Sequence, residues 1–277
     1  MLTVESSTYW DRFAQSYASL GGPLRPSPAD VAAFESIVRQ WTVSQRIIRP
    51  RALLLGATPA IATMQWPDGT WLTGLDRSFP MAKSVWPGDS PGERGMVCGD
   101  WLQPSLGNNS CDLVIGDGSL NCLTYPIASK ALVRAVSGLL RRGGLLILRC
   151  YIQAEPRESP DDLQTEALRG AIASFHTFKL RLLMALQPTL EEGVAVRDAY
   201  RWIARNVDLP SLSKTAGWPR AEVETIEHYK DSDTIYAFPT LDQLRSALLP
   251  EFSETSLLTT RHEMSSRCPI LGFRPTR

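Results

Sequence analysis

Arg51-Ala52-Leu53-Leu54-Leu55-Gly56-Ala57-Thr58-Pro59-Ala60 is the stretch that decides the fold. Its residues 52–55 form a short, uniformly apolar run, which suits a strand buried on both faces. A glycine comes immediately after. Thr58-Pro59 then places a hydroxyl residue at a helix N-cap and a proline in the first helical turn. A buried strand that empties into a turn and a helix is the opening unit of a doubly wound α/β sheet.

The same grammar recurs downstream. Apolar runs at 70–75, 95–98, 112–115 and 144–150 predict four further strands. The intervening helices from Pro59 and around 79–85 are short. An amphipathic helix over 126–141 turns Ile127, Leu132, Val136 and Leu139 inward and ends in Arg141-Arg142-Gly143-Gly144, with cations in its last turn and glycine beyond. Upstream, a helix over 9–20 is separated by Gly21-Gly22-Pro23 and Pro26 from a second over 29–42, opened by Ser27-Pro28. Beyond residue 155 the pattern turns helical. Leu163, Ala167, Ala171, Phe175, Phe178, Leu182 and Leu186 trace one face of a single long helix, and 196–207 predicts another. Thr240-Leu241-Asp242-Gln243 reads as a capping box, with terminal strands around 255–260 and 269–273. The chain thus divides into an N-terminal helical cap (1–50), a doubly wound α/β core (51–154), a helical insertion that could serve as a lid (155–239) and terminal elements that complete the sheet (240–277).

Charge and cysteine usage narrow the function classes. Lys+Arg 29 against Asp+Glu 29 leaves no basic surplus to neutralise phosphates, which argues against a nucleic-acid substrate. The five cysteines are scattered without a C-x-x-C pair, as in a reduced cytosolic protein with neither a disulfide framework nor a zinc site. MLTVESSTYW lacks a basic segment followed by an apolar one, and no run is apolar enough to span a bilayer. The expectation is a soluble, cytoplasmic protein without membrane partners.

Ligands of open α/β sheets sit outside the carboxyl ends of the strands, so the residues just past each apolar run carry the chemistry. After the first come Gly56, Ala57 and Thr58; after the second, Asp76-Arg77, some twenty residues past Gly56, the spacing at which an acid meets a ribose. After the third comes Asp100-Trp101. After the fourth comes Gly116-Asp117-Gly118-Ser119-Leu120-Asn121.

This series resembles the class I S-adenosylmethionine-dependent methyltransferases over residues 51–149 and again in the terminal helix and strands. The resemblance implies a mostly parallel seven-stranded sheet whose last strand is antiparallel, and S-adenosylmethionine as cofactor. It places Gly56, Ala57 and Thr58 beside the cofactor's amino acid portion, Asp76 and the adjoining Arg77 at the ribose, Asp100 at the adenine amino group and Trp101 against the adenine. Asp117 and Gly118 would border the methyl-transfer pocket. Two features depart from the family. Thr58 and Ala60 stand where its first loop usually carries further glycines, and the Asn/Asp-Pro-Pro-Tyr/Phe signature of nucleic-acid amino-methylating enzymes is absent. The function implied is methyl transfer to an oxygen, nitrogen or carbon of a small molecule.

Two alternatives keep the fold. One is a non-catalytic cofactor- or partner-binding protein, suggested by the altered first loop. The other is an aminopropyltransferase, against which Gly118-Ser119-Leu120-Asn121 offers no acids for a polyamine. The candidate general base is His176, beside the apolar helical face, with Tyr17 as the N-terminal aromatic placed to reach the site. His228 and His262 are weaker candidates. The resemblance implies N-terminal helices that close over the cofactor, which would bring Tyr9 or Tyr17 to the site; the alternative is that Tyr9, Trp10 and Tyr17 staple the helix to the sheet. Phe175, Phe178, Met184 and Trp202 either line a lid pocket or belong to a helical core.

Overall fold

The computed structural model describes residues 6–276, with side chains from Tyr9 onward. Helices α1 (Ser6–Gln15) and α2 (Pro28–Gln45) precede strand β1 (Arg51–Leu55). Next come α3 (Pro59–Ala62), β2 (Trp71–Asp76), α4 (Phe79–Ser84), β3 (Arg94–Cys98), β4 (Cys111–Asp117), α5 (Ile127–Leu139) and β5 (Leu140–Arg149). The insertion holds α6 (Pro160–Leu168), α7 (Phe175–Leu186), β6 (Val194–Ala195), α8 (Val196–Asn206), α9 (Leu209–Ala216), α10 (Arg220–Glu224) and β7 (Ile235–Tyr236). Helix α11 (Leu241–Leu248) and strands β8 (Phe252–Leu258) and β9 (Ile270–Pro275) return to the sheet.

The seven-stranded sheet runs β3-β2-β1-β4-β5-β9-β8. Strands β1 to β5 pair in parallel, and β9 lies antiparallel between β5 and β8. The fold class expected from the sequence is therefore the one observed. Successive residues of β1 face opposite layers, as a period of two requires. Ala52 and Leu54 pack with Phe34, Val38 and Trp41 of α2, whereas Leu53 and Leu55 pack with Leu132 and Val136 of α5 and Leu244 of α11. The order reverses between β1 and β4, the topological switch point at which such sheets bind ligands.

Both capping boxes form. Ser27 and Asp30 bond reciprocally at the start of α2, and Thr240 and Gln243 do so at α11.

Three local expectations are corrected. The face traced from Leu163 to Leu186 belongs to two helices: Gly170 turns the chain at φ +68° and Ser174 caps α7, leaving Ala171 exposed. The apolar spacing runs on across the break because both helices pack on one core. Helix α5 stops at Leu139, so Arg141 and Arg142 belong to β5; Arg141 reaches Asp112 at 3.0 Å instead of capping a helix. Ile127, expected inward, is 81% exposed.

Candidate functional site

The carboxyl ends of β1, β2 and β4 and the turn after β3 open on one cavity of about 1190 Å³, counting its mouth. Gly56 turns out of β1 at φ +105°, a backbone shape that only glycine adopts without strain. A Cβ added there would lie 3.6 Å from Trp101 Cζ2 and 3.8 Å from Asp76 Oδ2, filling the space between them. Thr58 is extended (φ −100°) and Ala60 is helical, so neither position needs the freedom of glycine. Thr58 does sit at the N-cap of α3, but its side chain makes no capping bond, contrary to expectation.

Asp76 ends β2 at 8% exposure. Its Oδ1 accepts from the Ser78 N–H at 2.8 Å. Burial pushes the carboxyl up to about 6, against the N–H groups of Ser78 and Ala57 and the charge of Arg77, which favour ionisation. Arg77 itself is exposed, at the cavity edge. Asp100 Oδ1 accepts from Leu102 N–H at 2.9 Å, a turn that presents the half-buried Trp101. The Trp101 indole N–H donates to Leu75 O at 2.5 Å and so fixes the ring.

Asp117 is the last residue of β4. Arg149, wholly buried at the end of β5, donates from Nε to Asp117 Oδ1 at 2.6 Å and faces Asp30 at 3.6 Å. Burial raises the Asp117 carboxyl, opposed by the Arg149 guanidinium. Both terminal nitrogens of Arg149 also donate to Pro23 O at 3.1 Å, and the Tyr151 hydroxyl donates to the same oxygen. One guanidinium thereby ties the site to the segment between the two N-terminal helices. Gly118 (φ +65°) packs so close to Tyr151 that a Cβ would lie 3.0 Å from that ring.

The opposite wall is aromatic. Tyr9, Trp10, Phe13 and Tyr17 come from the N-terminal segment, and Tyr229, Tyr236 and Phe238 from the far end of the insertion. The Tyr9 and Tyr236 hydroxyls meet at 3.2 Å. Burial pushes the Tyr17 phenol up to about 12, and Arg25 stands 4.8 Å over its ring.

All nine candidate cofactor residues border or build this cavity, as does Tyr17. His176 does not. It is fully buried, its Nε2 bonds Ser19 O at 2.9 Å, and burial pulls it down to about 4, so it ties α7 to the N-terminal segment. Phe175 and Phe178 pack on Trp218 with ring centroids 5.4 and 5.3 Å apart, inside the insertion's core. Met184 and Trp202 belong to that core too, and Leu180 and Leu183 are the residues of α7 that reach the cavity. His228 meets Ser16 Oγ at 3.0 Å and His262 lies beside Asp30.

Sequence reasoning missed Tyr151, Cys122, Tyr229 and Tyr236. Tyr151 comes almost directly after β5, so reading the fifth strand end as the first four were read would have found it. No local signal marks the others. Among the described residues no three His, Cys, Asp or Glu side chains are grouped to hold a metal, and no helix is long and apolar enough to cross a membrane.

No protein-family model matches the chain, and no curated protein matches it. Solved structures do. One, described as a putative zinc-dependent alcohol dehydrogenase from Rhodobacter sphaeroides, is 12% identical over 100% of both chains, with a TM-score of 0.59. The N-methyltransferase NodS of Bradyrhizobium japonicum, solved with S-adenosyl-L-homocysteine, is 11% identical over 98% of this chain and 100% of its own, with a TM-score of 0.53. The CurJ carbon methyltransferase is 13% identical over 96% of this chain and 59% of its own, also with a TM-score of 0.53. Identities this low speak for architecture alone, and topology discriminates within it. A dinucleotide-binding sheet continues in parallel past its fifth strand, whereas here the antiparallel β9 takes that place. The chain therefore has the fold of the class I S-adenosylmethionine-dependent methyltransferases.

Proposed function

We propose that this protein is an S-adenosylmethionine-dependent methyltransferase acting on a small molecule. The observation that carries the reading is the cradle at the switch point. Gly56 lacks the Cβ that would fill the gap between Asp76 and Trp101, and Asp76 is a buried acid with no salt-bridge partner among the described residues. An acid so placed costs stability unless it serves a ligand. Its carboxylate has about four lone-pair sites, enough for ribose hydroxyls beside the Ser78 N–H. Gly56, Ala57 and Thr58 would hold the amino acid portion, Asp100 and Trp101 the adenine, with Arg77 at the rim. The altered first loop is no obstacle, because positive φ is needed at Gly56 and at neither Thr58 nor Ala60.

When bound, the cofactor supplies a sulfonium methyl group to a nucleophile's lone pair as the C–S electrons return to sulfur. The chain's own work is positioning and the exclusion of water. Asp117, fixed by Arg149, and Gly118 border the transfer point; the N-terminal aromatics and the insertion cover it. No histidine or lysine is among the described lining residues. The phenols of Tyr9, Tyr229 and Tyr236 are all raised by burial, so they act as hydrogen-bond donors and not as bases. The cavity is thus suited to an acceptor whose nucleophile needs no strong protein base. Calorimetric titration tests the reading. S-adenosylmethionine should bind the wild-type chain, and Asp76→Asn should weaken it by roughly ten- to a hundred-fold, the loss of a charge-assisted hydrogen bond of ~1.5–3 kcal/mol. Equal affinity for both proteins would refute the assignment.

A further inference from the structure

Resting on the reading of the cavity as a methyl-transfer site, we infer that its acceptor is an uncharged aromatic compound carrying an oxygen hydrogen-bond acceptor. The far wall is built of rings, which favour a flat apolar body. Within it, the Tyr9 and Tyr236 hydroxyls meet at 3.2 Å, and the Tyr229 ring stands 6.1 Å from that of Tyr9. The Tyr9–Tyr236 contact uses one of its two hydroxyl protons, which leaves the other O–H to find a partner elsewhere. Cys122 lies beside this cluster, but its thiol donates to Gly118 O at 3.4 Å and its sulfur is a weak acceptor. A ligand oxygen is the complementary partner, and an unmet buried hydroxyl would otherwise carry a desolvation cost.

Charge settles the rest. Two tyrosines of the cavity have a guanidinium against the ring, Arg25 at 4.8 Å from Tyr17 and Arg149 at 5.4 Å from Tyr151, and the Lys179 amine lies 4.9 Å from the Tyr229 ring. Neither guanidinium lines the cavity. They already occupy the electron-rich ring faces and add positive potential behind them, so an ammonium ligand finds a weakened cation–π site. An anionic ligand fares no better. The charged residues that do line the cavity are Asp76, Asp100 and Asp117 with Arg77 at the rim, and Asp117 is paired with Arg149 behind the wall, which leaves Asp76 and Asp100 facing the space. An uncharged ring with an oxygen avoids both penalties and meets the spare hydroxyl.

A matched set on one ring system tests this: naphthol, naphthoate and naphthylmethylammonium, titrated by calorimetry into the full chain saturated with S-adenosyl-L-homocysteine. Naphthol should bind at least about ten-fold tighter than either charged analogue. Tyr236→Phe should weaken naphthol by about five-fold or more while leaving S-adenosyl-L-homocysteine affinity within about two-fold, which also reports that the variant is folded. Tighter binding of the ammonium or the carboxylate overturns the inference, as does no binding of any of the three, or an unchanged naphthol affinity in a Tyr236→Phe chain that still binds S-adenosyl-L-homocysteine. Each of those leaves the methyltransferase reading standing. Failure of S-adenosyl-L-homocysteine itself to bind removes both.

Discussion

Replacing Asp76 by Asn should make the protein more stable and a poorer cofactor binder. Asp76 is 8% exposed, and burial raises its carboxyl from 3.8 to about 6. A raised folded-state value means the folded chain prefers the protonated form. The cost of ionisation is therefore absent below about pH 4, grows as pH rises through 6 and is complete above 7. At 1.36 kcal/mol per decade, that cost is about 3 kcal/mol. Asn removes it while its amide oxygen can still accept from the Ser78 N–H, which now stands 2.8 Å from Oδ1. For 277 residues at ~2.1 cal/mol/K each, the unfolding entropy is about 0.6 kcal/mol/K, so the gain converts to ~5 °C in Tm. Differential scanning calorimetry near pH 8 should show that rise, and near pH 4 it should vanish. A destabilised variant at pH 8, or a gain independent of pH, would refute the idea that Asp76 is kept at a cost in stability for the sake of a ligand.

Three other substitutions probe the neighbouring groups. Arg149→Met strands the buried Asp117 and Asp30 and should cost ~3–5 kcal/mol, or ~5–9 °C in Tm; adding Asp117→Asn and Asp30→Asn should recover part of the loss. A loss below about 2 °C would show that Arg149 is not holding the site together. Burial pulls the Lys179 amine down to about 7, so the unfolded chain binds more protons from there up to its ordinary 10.5, and this group's contribution to stability rises with pH across that window. Lys179→Met should accordingly raise Tm near pH 6, with the gain fading toward pH 10. Gly56→Ala should cost ~1–3 kcal/mol in a urea melt through its φ of +105°, and weaken S-adenosylmethionine as its Cβ enters the gap before Asp76.

The half of the site on the sheet was legible because its physics is local. A strand buried on both faces must be apolar, so the runs ending at Leu55, Asp76 and Asp117 announce themselves, and the residues after them inherit a place at the end of the sheet where ligands bind. The half that covers it was not. Tyr9 and Tyr236 are 227 residues apart, and nothing near either one in sequence says that their hydroxyls meet. His176 misled for a related reason. A histidine beside an apolar helical face reads the same whether it points into a cleft or into a core, and only the carbonyl of Ser19, 157 residues away, decides which. The break between α6 and α7 did leave a signal, Gly170 and Ser174, but the continuing apolar period outweighed it. Periodicity reports which face is buried, not whether the helix bearing it is continuous.

The central claim is that the cavity at the ends of β1, β2 and β4 is a cofactor site, and a crystal structure of the chain grown with saturating S-adenosyl-L-homocysteine tests it most directly. The molecule should lie in that cavity, its ribose hydroxyls on the Asp76 carboxylate and its adenine against Trp101. A molecule bound elsewhere, or a cavity left unfilled at saturation, would contradict the claim.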